Sequence, residues 1–163
     1  MLQIRPAKTV DHAAVVQLWH RGWHDAHAAL VPEGVLTFRT PDHFTIWLHE
    51  ACDTFYVAVD PGLLGFVSIK GTEVVKLYVD RDVRGQGVAH RLLSLAEARL
   101  AENGVEEAEL FCTAGNVRAE KFYQREGWTL SRSFDDGLWM PKSSTDRFFV
   151  RTHQFQKRLK PTP

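Results

Sequence analysis

One stretch of the sequence, residues 73–112, constrains the fold more than any other because its hydrophobic period changes twice. Residues 73–80 alternate as a strand does. A stripe at helical spacing follows, formed by Ala89, Leu92, Leu93, Ala96 and Leu100. Asn103-Gly104 is typical of a helix C-terminus, and residues 107–112 are strand-like again. Two strands joined by a helix over 88–103 predict a parallel pair within one sheet.

The rest of the chain predicts antiparallel strands and three further helices. Thr9 can cap a first helix, Thr40 followed by Pro41 a second, and Asn116 a third that stops at Gly127. Residues 135–146 are predicted to form a polar loop. The predicted strands, besides those named, are 2–5, 54–59, 63–69, 128–134 and 148–155. This order of elements predicts a mixed sheet, and we expect one domain over residues 1–163.

Composition excludes several classes of protein. Twenty basic residues balance twenty acidic ones, which argues against a nucleic-acid-binding module. No apolar run is long enough for a membrane span, and residues 1–6 lack the apolar stretch of a signal peptide. Cys52 and Cys112 have no CxxC partner and are expected to be reduced thiols. We therefore expect a cytoplasmic protein that binds neither nucleic acid nor membrane.

The turn between the strand and the helix, Arg84-Gly85-Gln86-Gly87, has the composition of a phosphate site. Two glycines allow backbone N–H groups to approach an anion, and a helix N-terminus points its positive dipole end there. Arg84 adds a guanidinium that can bind phosphate oxygens in a bidentate manner. His90 stands where a dinucleotide fingerprint needs a third glycine, and no Walker motif is present. The residues thus predict a pyrophosphate site, with a simple tight turn as the alternative.

Two motifs in this part of the chain resemble those of the GCN5-related N-acetyltransferase (GNAT) family. The first is Leu77-Tyr78-Val79 followed by Arg84-Gly85-Gln86-Gly87-Val88-Ala89. The second is Asn116-Val117-Arg118-Ala119 with Phe122-Tyr123 and Gly127-Trp128, where the family has Asn-x-x-Ala…Tyr…Gly-Phe. The resemblance implies an α/β (α+β) fold with a mixed, mostly antiparallel sheet of six to seven strands. It also implies helices on both faces and a central parallel strand pair that splays apart at a bulge.

The resemblance implies acetyl-CoA as co-substrate, no metal, and direct attack by the amine in a ternary complex. Tyr123 is then the acid that assists the leaving thiolate, and Glu73 is the candidate base. Alternatives are a packing role for Tyr123, a solvated carboxylate at Glu73, and a water chain in place of a single base. The implied cofactor-binding residues are Leu77, Tyr78, Val79, Arg84, Gly85, Gln86, Gly87, Val88, Ala89, Asn116 and Tyr123.

The acceptor is an amine of a small molecule or a protein, and the sequence does not distinguish them. The resemblance places the first two helices on the acceptor side, so Trp23, His24 and His27 are candidate substrate contacts. His20, His24 and His27 lie at i, i+4 and i+7, and a metal site or three solvated histidines are the alternatives. The sequence leaves the oligomeric state open, a homodimer included. The rival functions are a non-catalytic acyl-CoA-binding module and an unrelated nucleotide-binding domain.

Overall fold

The computed structural model describes residues 1–160 as one mixed sheet of seven strands with helices on both faces. The strands are β1 Gln3–Pro6, β2 Thr54–Val59, β3 Leu63–Lys70, β4 Glu73–Val79, β5 Glu107–Thr113, β6 Thr129–Gly137 and β7 Phe149–Arg158. The helices are α1 His12–His27, α2 Pro41–Glu50, α3 Val88–Glu102 and α4 Val117–Arg125. Short 3₁₀ helices occupy Thr9–Asp11, Glu33–Phe38 and Arg81–Val83.

The strand order across the sheet is β1-β2-β3-β4-β5-β7-β6. Strands β1 to β4 pair antiparallel in sequence, and β5, β7 and β6 form a second antiparallel group. The two groups meet at β4 and β5, which are parallel and connected by α3. The predicted meander, crossover helix and parallel pair are therefore confirmed.

Each face of the sheet has its own apolar core. Helix α3 buries Leu92, Leu93, Ala96 and Leu100 against one face, where Phe122 and Tyr123 of α4 also pack. Helices α1 and α2 cover the opposite face, where Trp19 and Phe44 are buried. The predicted layers are present, and they place α1 and α4 on opposite sides of the junction between β4 and β5.

Strands β4 and β5 separate after a short paired region. Glu73 pairs with Glu109 and Val74 with Leu110, and the parallel ladder stops there. On the other side of β4, Lys76 pairs with Ser68 and Val74 with Ile69, so Val75 is an extra residue that forms a bulge. The bulge and splay that the family resemblance implies are both present. The bulge turns Tyr78 toward α1 and leaves Leu77 facing the α3 side.

Two sequence-based expectations need correction. Thr9 does not cap α1, because a 3₁₀ turn precedes the helix and the Asp11 carboxylate accepts the backbone N–H of Lys8 at 2.7 Å and the Arg5 guanidinium at 2.8 Å. The polar loop lies later in the chain than predicted, over 138–148, since β6 runs to Gly137 and β7 begins at Phe149. Trp139 in this loop stacks on Trp47 of α2 with ring centroids 4.8 Å apart. This loop therefore packs against the helical layer.

Two cations are buried among aromatic rings on the α1 side. Lys76 donates to Asp53 at 2.5 Å, and both side chains are less than 10% exposed. Arg39 lies within about 6 Å of the rings of Trp23, Trp47 and Trp139. Its guanidinium donates to the carbonyl oxygens of Phe38 and Trp139, and burial lowers the pKa of Arg39 to about 10.

Candidate functional site

A cleft of about 520 Å³ opens where β4 and β5 separate. It is bounded by the N-terminus of α3, by α4 and by the C-terminal half of α1. Ten of the eleven residues predicted to bind the cofactor line it: Leu77, Tyr78, Val79, Arg84, Gly85, Gly87, Val88, Ala89, Asn116 and Tyr123. Gln86 is exposed and does not line the cleft. Residues from two distant motifs therefore share one cavity.

The glycine turn forms one end of this cleft. Gly87 is the N-cap of α3 and has φ +83°, a left-handed conformation that side chains with a branched Cβ rarely adopt. A Cβ at this position would meet no atom within 4 Å, so the space beside the backbone is open. The first N–H groups of a helix have no partner within the helix. The turn therefore presents unpaired N–H groups and a positive dipole end to the cleft.

Two arginines add positive charge at the same end. Arg84 precedes the glycines, and Arg118 lies on α4 across the cleft. Partial burial and the guanidiniums of Arg118 and Arg81 lower the pKa of Arg84. Within residues 1–160 neither Arg84 nor Arg118 forms an ion pair with a carboxylate. A diphosphate fits this arrangement, because an anion between the two guanidiniums would relieve their repulsion.

Tyr123 lies in the same cleft on α4. The helix begins at Asn116, whose Oδ1 accepts the N–H of Ala119 at 3.5 Å, so the cap predicted for Asn116 is present. The Tyr123 ring packs against Phe122, Trp128 and Phe155. Its hydroxyl makes no hydrogen bond to the described residues. Burial raises the pKa of Tyr123, so the phenol keeps its proton and remains a donor at physiological pH.

Glu73 lies outside this cleft, at the paired end of β4. It precedes Val75, a lining residue, by two positions, or about 6.6 Å along a strand. Its side chain is half-buried and makes no hydrogen bond or ion pair within residues 1–160. Burial and the nearby carboxylates of Glu109 and Asp53 raise the pKa of Glu73 to about 7. Glu73 is therefore a carboxyl group able to exchange a proton near neutral pH, two residues away from the lining of the cleft.

The two candidate histidines of α1, His24 and His27, have different surroundings. His27 lines the cleft; its buried Nδ1 has no hydrogen-bond partner among residues 1–160, and burial lowers the pKa of His27 to about 4. The Nε2 of His24 lies 2.7 Å from the carbonyl oxygen of Arg39. Trp23 is 3% exposed and belongs to the apolar core, so it does not reach the cleft. Within residues 1–160 no three His, Cys, Asp or Glu side chains converge as metal ligands would.

Helix α1 comes close to β4 at the cleft because residue 22 is glycine. A Cβ built on Gly22 would lie 2.6 Å from Cδ1 of Tyr78. Sequence reasoning did not reveal this contact. Sequence reasoning also missed Lys76 and Phe111, which line the cleft, and the buried Arg39. Arg118 could have been found, because it lies within the Asn116 motif.

Comparisons with known proteins agree with this geometry. A family model described as Acetyltransferase (GNAT) family matches residues 15–128. The chain belongs to this family. It is 38% identical over 95 residues to a blasticidin-S acetyltransferase from Streptomyces morookaense, which covers 55% of this chain and 63% of that protein. It is 34% identical over 132 residues to a mycothiol acetyltransferase from Saccharopolyspora erythraea, which covers 75% of this chain and 42% of that protein. The chain thus spans less than two thirds of either relative.

Solved structures show the same GNAT fold. YjaB from Escherichia coli superposes with a TM-score of 0.73 at 23% identity, over 96% of this chain and 97% of that one. The structure of yncA from Salmonella typhimurium, solved with its cofactor acetyl-CoA, superposes with a TM-score of 0.68 at 16% identity, over 100% and 96% of the two chains. Of the helices in residues 1–160, none has both the length and the apolar character of a membrane span.

Proposed function

We propose that this GNAT-family protein is an N-acetyltransferase that moves the acetyl group of acetyl-CoA to an amine. The observation that carries the proposal is the single cleft that contains the glycine turn, the free edge of β4 and the Tyr123 side chain. The names of the two relatives, each an acetyltransferase of a named compound, support a small-molecule acceptor. A protein amine remains the alternative acceptor.

The cleft suits the binding of a long phosphorylated thioester. The turn at Gly87, with Arg84 and Arg118, would hold the diphosphate. Because the β4–β5 ladder stops at Val74, backbone groups of residues 75–79 that face β5 have no partner strand. Those groups would bind the pantetheine arm, and an N–H among them would polarise the carbonyl that acetyl-CoA supplies.

The acceptor amine must lose a proton before it can attack. An amine with a pKa near 10.4 is neutral in about one molecule in 2,500 at pH 7, which corresponds to about 4–5 kcal/mol. Glu73, with a pKa of about 7, would accept this proton through a water that bridges it to the cleft. A base with a pKa near the working pH is partly ionised and still basic enough to be effective.

A direct transfer is favoured over an acyl-cysteine intermediate. Cys112 lines the cleft, but burial raises the pKa of this thiol to about 12. A thiol that stays protonated at neutral pH is a weak nucleophile. The amine therefore forms its bond to the carbonyl carbon directly, the carbon–sulfur bond breaks, and the departing sulfur receives a hydrogen bond from Tyr123.

Tyr123→Phe is expected to lower kcat by about 10–100-fold while the Kd for acetyl-CoA stays nearly unchanged. The phenol acts on charge that develops only as the carbon–sulfur bond breaks. Its raised pKa makes complete proton transfer unfavourable, which keeps the effect at the lower end of the range for general acids. Steady-state kinetics and calorimetry on the same samples measure the two quantities. Full turnover in Tyr123→Phe would leave this side chain a packing role only.

For the wild type, kcat at saturating substrates is expected to rise with pH and to level off above an inflection near pH 7. The sign follows from the raised pKa of Glu73, because the carboxyl must be ionised to accept a proton. Glu73→Gln is expected to remove this inflection and to lower kcat by about 100-fold at pH 7. The defect should shrink as the pH approaches the pKa of the amine. A profile unchanged by Glu73→Gln would show that the base lies elsewhere.

The proposed activity is tested by following thiol release from acetyl-CoA with a panel of small amines and amine-bearing peptides. Turnover with at least one small amine, and none in its absence, is the expected result. Tight acetyl-CoA binding without turnover on any amine would favour the non-catalytic binding module. Thermal stabilisation by ATP or NAD, without stabilisation by acetyl-CoA, would favour the unrelated nucleotide-binding domain.

A further inference from the structure

Two carboxylates face each other at the paired end of β4 and β5. Glu73 and Glu109 are register partners on these parallel strands. The next pair, Val74 and Leu110, points into the core beneath α3, so the two glutamates point to the opposite face, which carries α1 and α2. Both are half-buried, and neither forms an ion pair within residues 1–160. The negative charge of Glu109 raises the pKa of Glu73, because a second negative charge beside it is unfavourable.

A chain of hydrogen bonds from β6 orients only one of them. Arg132 donates through Nε to Oε1 of Gln154 at 2.5 Å, which turns the amide nitrogen of Gln154 toward β5. That nitrogen donates to Oε2 of Glu109 at 3.2 Å. An amide N–H group matches a carboxylate oxygen that carries no proton. Gln154 is 6% exposed, so competition by water for these bonds is small.

We propose that Glu109, oriented by Gln154 and Arg132, is a positioning residue that makes Glu73 the member of the pair that takes up and releases the proton. This inference deepens the proposed function and rests on it for its kinetic consequence. Glu109 need not touch either substrate. It would act through its charge on Glu73, and so would set the pH at which the base becomes available.

Other charged groups also lie near Glu73, but none of them replaces Glu109 in this role. Burial contributes most to the raised pKa of Glu73, and Glu109 is the largest contributor among the charged groups. Lys76 opposes the shift, but its ammonium is bound to Asp53. Lys70, the register partner on β3, is exposed and forms no ion pair within residues 1–160. The charged groups that face Glu73 are Glu109 on β5, Asp53 before β2, Asp136 on β6, Lys76 on β4 and Lys70 on β3.

The test is a titration of the side-chain carboxyl carbon of Glu73 by ¹³C NMR, with its resonance assigned from Glu73→Gln. In Glu109→Gln the midpoint of Glu73 is expected to fall by about one pH unit. Glu107→Gln is the matched control, because Glu107 lies on the same strand, is exposed and sits near Arg158. It removes the same charge and should leave the midpoint in place. Glu109→Ala removes the charge without added bulk and serves as a second variant.

Kinetics provide the second readout. A lower midpoint means more ionised Glu73 at pH 6, so Glu109→Gln is expected to raise kcat about fivefold at that pH. Damage to the fold would not produce such a gain. The proposal would be overturned if the titration midpoint of Glu73 were the same in the wild type and in Glu109→Gln. It would also be overturned if the midpoint shifted but kcat of an active enzyme did not change with it. Absence of turnover with every amine would refute the proposed function instead, and the carboxyl titration would still decide which residue holds the proton.

Discussion

A folded Gly87→Val variant is expected to bind coenzyme A at least about 100-fold more weakly than the wild type. Gly87 has φ +83°, where valine is strained, so the turn would have to change its backbone path. That change would displace the N–H groups at the start of α3, and the new methyl groups would occupy the open space beside them. Loss of two charge-assisted hydrogen bonds, at about 1.5–3 kcal/mol each, accounts for about 100-fold or more.

A matched control is available at the other end of the same helix. Gly104 has φ +87°, and a Cβ there would also meet nothing within 4 Å. Gly104→Val therefore imposes similar backbone strain but lies outside the cleft. Calorimetric titration of both variants with coenzyme A, after circular dichroism has shown them to be folded, separates strain from lost phosphate contacts. Equal affinities for the two variants would remove the phosphate site from the glycine turn.

Asp53→Asn is expected to lower the free energy of unfolding by about 3–5 kcal/mol, the usual result of leaving a buried charge without its partner. Asp53 accepts hydrogen bonds from Lys76 at 2.5 Å and from Ser68 at 2.7 Å. The Lys76 ammonium lies 5.2 Å from the Trp19 ring centroid and 5.6 Å from that of Phe55. These rings attract a cation but do not replace a carboxylate. Asparagine keeps nearly the same shape, removes the charge and replaces one carboxylate oxygen by an amide NH₂ group.

The double variant Asp53→Asn/Lys76→Met is the control, since it removes both charges and leaves an unbranched chain among the rings. It should recover most of the lost stability, because replacing a complete buried ion pair by apolar groups is often neutral. Urea unfolding followed by tryptophan fluorescence gives the free energies for both variants and the wild type. A loss below about 1 kcal/mol in the single variant would mean that solvent reaches Lys76.

Local patterns were sufficient to predict the elements that form the glycine-turn end of the cleft. The change from strand to helical period around Gly85 and Gly87 predicted β4, α3 and β5 within one or two residues. Asn116 predicted the start of α4 because a cap depends on residues only three positions away. These features are short-range in sequence.

The α1 side of the sheet depends on contacts between residues that are far apart in the chain, which local patterns do not contain. Arg39 is buried because Trp139, one hundred positions later, accepts its hydrogen bond. The family resemblance made Trp23 a candidate substrate contact, whereas packing against residues of α2 and β3 buries it in the apolar core. Glu109 and Gln154 are 45 positions apart, and only the strand order brings them together.

The β4–β5 ladder is short, so the sheet consists of two groups of strands that are joined by backbone pairing at one end only. At the other end, side-chain contacts join them, beneath α3 and α4 on one face and between Trp139 and Trp47 on the other. Any molecule that fills the cleft and forms hydrogen bonds with residues 75–79 would join the two groups of strands at this end. The free energy of unfolding would then depend on the concentration of that ligand. A ligand that binds only the folded state raises this free energy by about 2.7 kcal/mol at one hundred times its Kd.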